Sequence, residues 1–127
     1  MIRRVLRNWT FIGAVLGGVA VAAGAFGAHA LRDRLDGPSL GRWHTGAQYE
    51  MAHALALVLV GILSERAPSR ALTLAGWAFT VGVVLFSGSL YALAISPAPW
   101  LGPVTPLGGL LLLAGWAALA VSAFQRK

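Results

Sequence analysis

Four apolar stretches, each close to the length of a bilayer crossing, divide this 127-residue chain and leave little room for another kind of fold. A transmembrane helix needs about 20 mostly apolar residues. The first stretch runs from Trp9 to Ala30, the third from Ala71 to Ile95 and the fourth from Leu107 to Phe124. The second has a shorter apolar body, Ala47–Leu63, and carries Glu50 and His53 within it. Its helix is expected to begin earlier, at Pro38-Ser39, with Trp43 at the membrane interface. The expected helices are 9–30, 39–64, 71–95 and 106–124, all in one transmembrane domain over 1–127. Pro68-Ser69 introduces the third, Pro97 and Pro99 end it, and Pro106 opens the fourth.

Composition excludes the soluble alternative. The chain is 57% hydrophobic and 11% charged, with a mean hydropathy of +0.73. Soluble domains are about 45–50% apolar and about 25% charged, and a small domain buries only part of its surface. The bilayer must be the solvent. The fold class that follows is all-α: an integral membrane four-helix bundle. The short links 64–70 and 96–105 make successive helices antiparallel neighbours, an up-down topology. The 31–46 connection is longer; Leu31 and Leu35 share a face there, suggesting a short interfacial turn before Gly37-Pro38.

No cysteine is present, which excludes disulfides, thiolate metal sites and cysteine nucleophiles. The net charge of +6 comes from residues just outside the apolar stretches, with no basic stripe of interleaved aromatics. That pattern points to the lipid bilayer and its headgroups as partner, and not to nucleic acid. Arg3, Arg4 and Arg7 followed by an apolar run and Ala28-His29-Ala30 imitate a secretory signal with a cleavage site. The run Trp9–Ala28 has 20 residues, longer than the ~7–15 of a signal core, so a retained first helix is expected. With both termini on one side, that side holds Arg3, Arg4, Arg7, Arg66, Arg70, Arg126 and Lys127. The other side holds Arg32, Arg34 and Arg42. The positive-inside rule then places both termini in the cytoplasm, in a bacterial inner membrane.

Inside lipid, close packing replaces the hydrophobic drive between helices, and small residues permit it. Gly13 and Gly17 form a G-x-x-x-G pair, and Gly24, Gly27, Gly88, Gly108 and Gly109 are the other packing candidates, beside Gly76, Gly82 and Gly115. The same faces suit packing within one bundle or self-association into a homo-oligomer.

Polar groups within a membrane are costly, so their placement is informative. His29, Gln48, Tyr49, Glu50, His53, Ser87, Ser89, Tyr91 and Thr105 are expected in one layer, in the outer third of the bilayer. Glu50 and His53 are three apart and share a helix face. An E-x-x-H pair suggests a di-iron carboxylate bundle, but Glu50 is the sole membrane-embedded carboxylate and such sites need several. A bis-histidine haem on His29 and His53 is a second cofactor geometry. The bland alternative is a satisfied polar cluster, with Glu50 and His53 bonding each other, His29, a serine or Tyr91, and Ser87 bonding the Val83 carbonyl. No metal or cofactor motif is complete. Ser87 and Ser89 lack a G-x-S-x-G elbow, and Asp33 and Asp36 sit in a loop, so no catalytic residue is identified.

Several segments together resemble a known family. Gly24-Ala25-Phe26-Gly27-Ala28-His29-Ala30-Leu31 is similar to its G-A-x-G-A-H-x-L signature. Gln48-Tyr49-Glu50-Met51-Ala52-His53-Ala54-Leu55 resembles its Q-Y-x-M-x-H-A-L segment, with Glu50 at an open position. Ser87-Gly88-Ser89-Leu90-Tyr91 matches S-G-S-L-Y, and Thr105-Pro106-Leu107-Gly108-Gly109 with Gly115-Trp116 matches T-P-x-G-G followed by G-W. The chain resembles the domain-of-unknown-function family 423, small bacterial membrane proteins with eukaryotic relatives called transmembrane protein 256. The resemblance implies a four-helix membrane protein and supplies no reaction, substrate or cofactor. Three functions remain open: a structural or accessory protein that self-assembles or joins a larger membrane complex, a proton- or ion-linked carrier or channel using His53 and Glu50, and a haem- or quinone-binding anchor.

Overall fold

The computed structural model describes residues 8–96 and 98–125. It contains four long helices, α1 (Trp9–His29), α2 (Gly37–Arg66), α3 (Arg70–Ile95) and α4 (Val104–Gln125), with a 3-10 turn at Pro99–Leu101 before the last. All four are long and apolar enough to cross a membrane. Arg3, Arg4, Arg7, Pro97, Arg126 and Lys127 lie outside the described residues. Of the charge count that predicts orientation, the fold shows Arg66 and Arg70 at one face of the bundle and Arg32, Arg34 and Arg42 at the other.

Helix starts are set by side-chain caps. Asn8 accepts the Phe11 N–H at 3.0 Å, Asp36 the Ser39 N–H at 2.7 Å and Ser69 the Leu72 N–H at 3.1 Å. Each satisfies one of the orphan donors of a first turn. Asp36 explains why α2 starts at Gly37, two residues before the expected 39. Its backbone and side-chain bonds to Ser39 hold the carboxyl below its ordinary value of 3.8. The cap's contribution is therefore complete above that ordinary value and is lost as pH falls through the lowered one. Within the 31–46 connection, residues 37–46 are the start of α2 and only the turn at 30–36 is irregular, closed by Arg34 and Leu35 N–H groups on the Leu31 carbonyl. α4 starts at Val104, two residues ahead of Pro106.

The helices run up and down, each packed on the next in sequence. Their register is written in glycines. On α1 and α2, a Cβ at Gly13 would lie 2.6 Å from the Ala54 carbonyl oxygen, one at Gly61 would collide with Thr10, and one at Gly27 would lie 2.5 Å from Trp43. On α3 and α4, Gly108 abuts the Phe86 backbone, Leu112 fills the space at Gly82, and the Phe79 ring lies against Gly115. Trp9 reaches past α2 to sit on Gly76 of α3. Between these notches lies the main core of Leu57, Val60, Leu72, Ala75, Phe79, Val83 and Leu112. A second apolar cluster of Leu31, Trp43 and Ala94, flanked by Leu35, Leu40 and Tyr91, closes the end nearest the 30–36 turn.

The G-x-x-x-G pair is therefore one-sided. Gly13 is in tight contact, whereas a methyl on Gly17 would meet only the Ala54 Cβ at 3.7 Å, and Gly109 is equally loose against Phe86. Gly24 and Gly88 face open space, so the packing role expected of them is not formed within this chain. Thermal unfolding in detergent should separate these positions. Gly13→Ala is expected to destabilise by about 1–3 kcal/mol, the cost of overpacking against a backbone atom. Gly17→Ala and Gly24→Ala should stay within about 0.5 kcal/mol of the parent.

Candidate polar site

The buried polar side chains of α2, α3 and α4 close on one another across helix boundaries. Gly46 lets α3 approach α2 so closely that its carbonyl accepts the Ser87 hydroxyl at 2.7 Å. This replaces the expected bond from Ser87 to its own helix at Val83. The same glycine receives the face of Tyr91, and the Tyr91 hydroxyl donates to Glu50 Oε1 at 2.9 Å. Glu50 is only 3% exposed, and its Oε2 is enclosed with no hydrogen-bond partner.

Trp43 roofs this pair. It is 8% exposed. Gly27 leaves the notch that admits its ring, the indole N–H donates to the Ala23 carbonyl at 2.7 Å, and the ring centroid lies 4.6 Å from that of Tyr91. At the same end, Ser89 and Thr105 tie α3 to α4 at 2.5 Å, with the Ser89 hydroxyl also 3.0 Å from the Phe86 carbonyl.

His53 does not pair with Glu50. Three residues advance a helix by about 300°, leaving the two side chains about 60° apart around the axis. Glu50 thereby reaches α3, and His53 reaches α4. Trp116 Nε1 lies 3.0 Å from His53 Nε2, and His53 Nδ1 lies 2.7 Å from the Tyr49 carbonyl. An indole N–H can only donate and a carbonyl can only accept. The hydrogen-bond geometry thus assigns the proton to Nδ1 and the acceptor lone pair to Nε2. Both ring nitrogens are occupied, and the ring packs at 5.6 Å from Phe79 and 5.7 Å from Trp116.

The bridge joins α2 to α4 well inside both helices. Trp116 is twelve residues into α4, about 18 Å from its start at ~1.5 Å per residue. The His53–Trp116 bridge therefore lies near the middle of both α2 and α4, farther along the bundle from the 30–36 turn than Ser89–Thr105. His29 is exposed at the end of α1, where Gly27 faces Trp43, and His53 lies ten residues beyond Trp43, about 15 Å further along the axis. The bis-histidine arrangement is not brought together. No three His, Asp or Glu side chains among the described residues converge on a common point. Gln48 and Tyr49 are exposed, the latter stacking its ring on His53.

Sequence reading missed Trp43, Trp116 and Gly46 as parts of this arrangement. The available signal was that tryptophan placed inside a membrane needs an acceptor for its N–H. A groove of about 590 Å³ runs beside the bridge, between α2 and α4, lined by Tyr49, His53, Phe86, Pro106, Leu113 and Trp116 among others.

A double-mutant cycle of Trp116→Phe and His53→Leu, read by thermal unfolding, should give a coupling of about 0.6–1.7 kcal/mol, the range of interhelical bonds in membranes. Coupling indistinguishable from zero would mean that the bond contributes nothing to stability.

The family model described as "Protein of unknown function (DUF423)" matches residues 23–109, from the last turns of α1 to the start of α4. The chain is 41% identical over 121 residues to the UPF0382 membrane protein YwdK of Bacillus subtilis, covering 94% of this chain and 98% of that one. It is 40% identical over 114 residues to the UPF0382 inner membrane protein YgdD of Escherichia coli, covering 90% and 87%. A UPF0382 membrane protein of Haemophilus influenzae is 40% identical over 115 residues. No solved structure matches. With the family's match covering α2, α3 and the polar bridges other than that to Trp116, and relatives aligned over nearly the whole chain, this protein belongs to the DUF423 family of small membrane proteins.

Proposed function

We propose that the chain is a non-catalytic protein of the bacterial cytoplasmic membrane, with both termini in the cytoplasm, acting as a structural or accessory element that self-assembles or joins a larger membrane complex. One observation carries this reading: Ser87, Ser89, Tyr91, Trp116 and His53 are each engaged with another part of the chain. These side chains are used as struts, and Glu50 joins them through Oε1 on Tyr91 while its Oε2 is enclosed without a partner. The carrier reading is disfavoured by what lies beyond His53, where Leu57, Val60, Leu72, Ala75 and Phe79 form an apolar plug. A conduction path needs polar or wettable lining across the full thickness. Large exposed apolar residues such as Leu55, Leu59 and Ile62 on α2 offer surface to lipid or to a partner helix.

A second reading, a quinone- or lipid-binding anchor, is favoured by the aromatic groove between α2 and α4. Its size falls in the range of small-molecule pockets, roughly 300–1,000 Å³.

Native mass spectrometry of the detergent-released protein separates the two. The structural reading expects protomers or protomer multiples without a stoichiometric quinone or haem mass, and proteoliposomes with no more proton flux than empty vesicles. His53→Ala should lower the melting temperature by stranding the Trp116 N–H, a loss of about 1–3 kcal/mol at most. A stoichiometric quinone mass would transfer the conclusion to the anchor reading, and pH-dependent flux would transfer it to the carrier.

A further inference from the structure

Among the described residues the arginines fall into two groups at opposite ends of the bundle. Arg66 and Arg70 share the face of the α2–α3 link, while Arg32, Arg34 and Arg42 lie at the opposite face, around the start of α2. Two of these three converge. Arg34 and Arg42 line a cavity of about 380 Å³ together with Leu35, Asp36, Ser39 and the end of α3 at Leu93, Ala94 and Ile95. Its lining is divided: guanidinium, carboxylate and hydroxyl groups on the α2 side, and aliphatic side chains on the α3 side.

We propose that this cavity is a binding site for the phosphodiester of one anionic phospholipid. Arg34 and Arg42 supply two permanent positive charges and planar donor arrays suited to phosphate oxygens. Asp36 supplies one negative charge, and one of its oxygens is already committed to the Ser39 N–H. The site is thus net positive and favours a headgroup that carries no ammonium of its own. Basic side chains at a membrane surface draw anionic lipids in this way. The aliphatic wall gives the acyl chain its exit, because Ile95 is 61% exposed where α3 meets the bilayer surface. A headgroup on the arginines with a chain lying along α3 uses both halves of the cavity. The assignment does not depend on which way the chain inserts, nor on the function proposed above.

The test is lipid retention by the full chain in mild detergent, followed by native mass spectrometry with added phosphatidylglycerol, phosphatidylethanolamine or phosphatidylcholine. Wild-type protein should retain one phosphatidylglycerol in preference to the two zwitterionic lipids. The double variant Arg34→Ala with Arg42→Ala should lose that preference by on the order of tenfold. Arg32→Ala, exposed on the same turn but outside the cavity, should keep it. Both arginines are exposed, so circular dichroism and the melting temperature of the double variant should match the parent and exclude misfolding. Inorganic phosphate added in excess should leave retention nearly unchanged if the lipid is the ligand. Equal retention of all three lipids would overturn the proposal, as would equal losses in Arg32→Ala and the double variant. Displacement of the lipid by inorganic phosphate alone would assign the site to the free anion instead.

Discussion

Close approach of helix backbones at glycine is the constraint on which this fold depends. In a bilayer, burying an apolar side chain between helices gains little over leaving it in lipid, so contact distance and interhelical bonds must do the holding. The bundle answers with bulky side chains set into glycine notches: Trp9 against Gly76, Trp43 against Gly27, Tyr91 against Gly46, Phe79 against Gly115. The polar bridges follow from these notches. Trp43 enters the space at Gly27 and its indole meets the Ala23 carbonyl; Tyr91 lies on Gly46 and its hydroxyl meets Glu50. Ser87 reaches a carbonyl of another helix because that carbonyl belongs to Gly46. Adding a side chain at Gly27 or Gly46 would displace a ring and a hydrogen bond together.

Four spans were legible because length and hydropathy are local properties of the chain. Boundaries were legible to within about two residues, and the shift at α2 has a specific cause in the Asp36 cap. Partner choice was not legible. A small residue repeated at helical spacing reads the same whether it faces a neighbouring helix or lipid, so Gly24 and Gly88 looked equivalent to Gly13 and Gly108. Gly46 and Gly61, which do receive neighbours, stood in a helix whose polar residues drew attention elsewhere. The spacing of Glu50 and His53 places them on one broad face, yet the angle between them is enough to give each a different partner helix. That distinction depends on where α3 and α4 sit around α2, a property of the packed bundle.

The polar groups are graded along the bundle instead of forming one layer. Ser89–Thr105 and the roofed Glu50–Tyr91 pair lie toward the 30–36 turn, while the His53–Trp116 bridge lies deeper. Beyond it the main core cluster is apolar, and the polar side chains Thr80 and Ser122 donate to the Gly76 and Leu119 carbonyls of their own helices. Such a gradient concentrates the cross-helix bonds described above in one half of the bundle. The family match begins in α1 at residue 23 and ends at 109, and it encloses nearly all of the bonded half except Trp116.

The claim that these embedded polar groups serve as struts rests most directly on His53. Nitrogen-15 NMR of histidine-labelled protein in a lipid environment reports which ring nitrogen carries the proton. The account predicts a proton on Nδ1 and an unprotonated Nε2 whose signal shifts when Trp116 is replaced by Phe. A proton on Nε2, or an Nε2 signal indifferent to Trp116, would contradict it and return His53 to the residues free for chemistry.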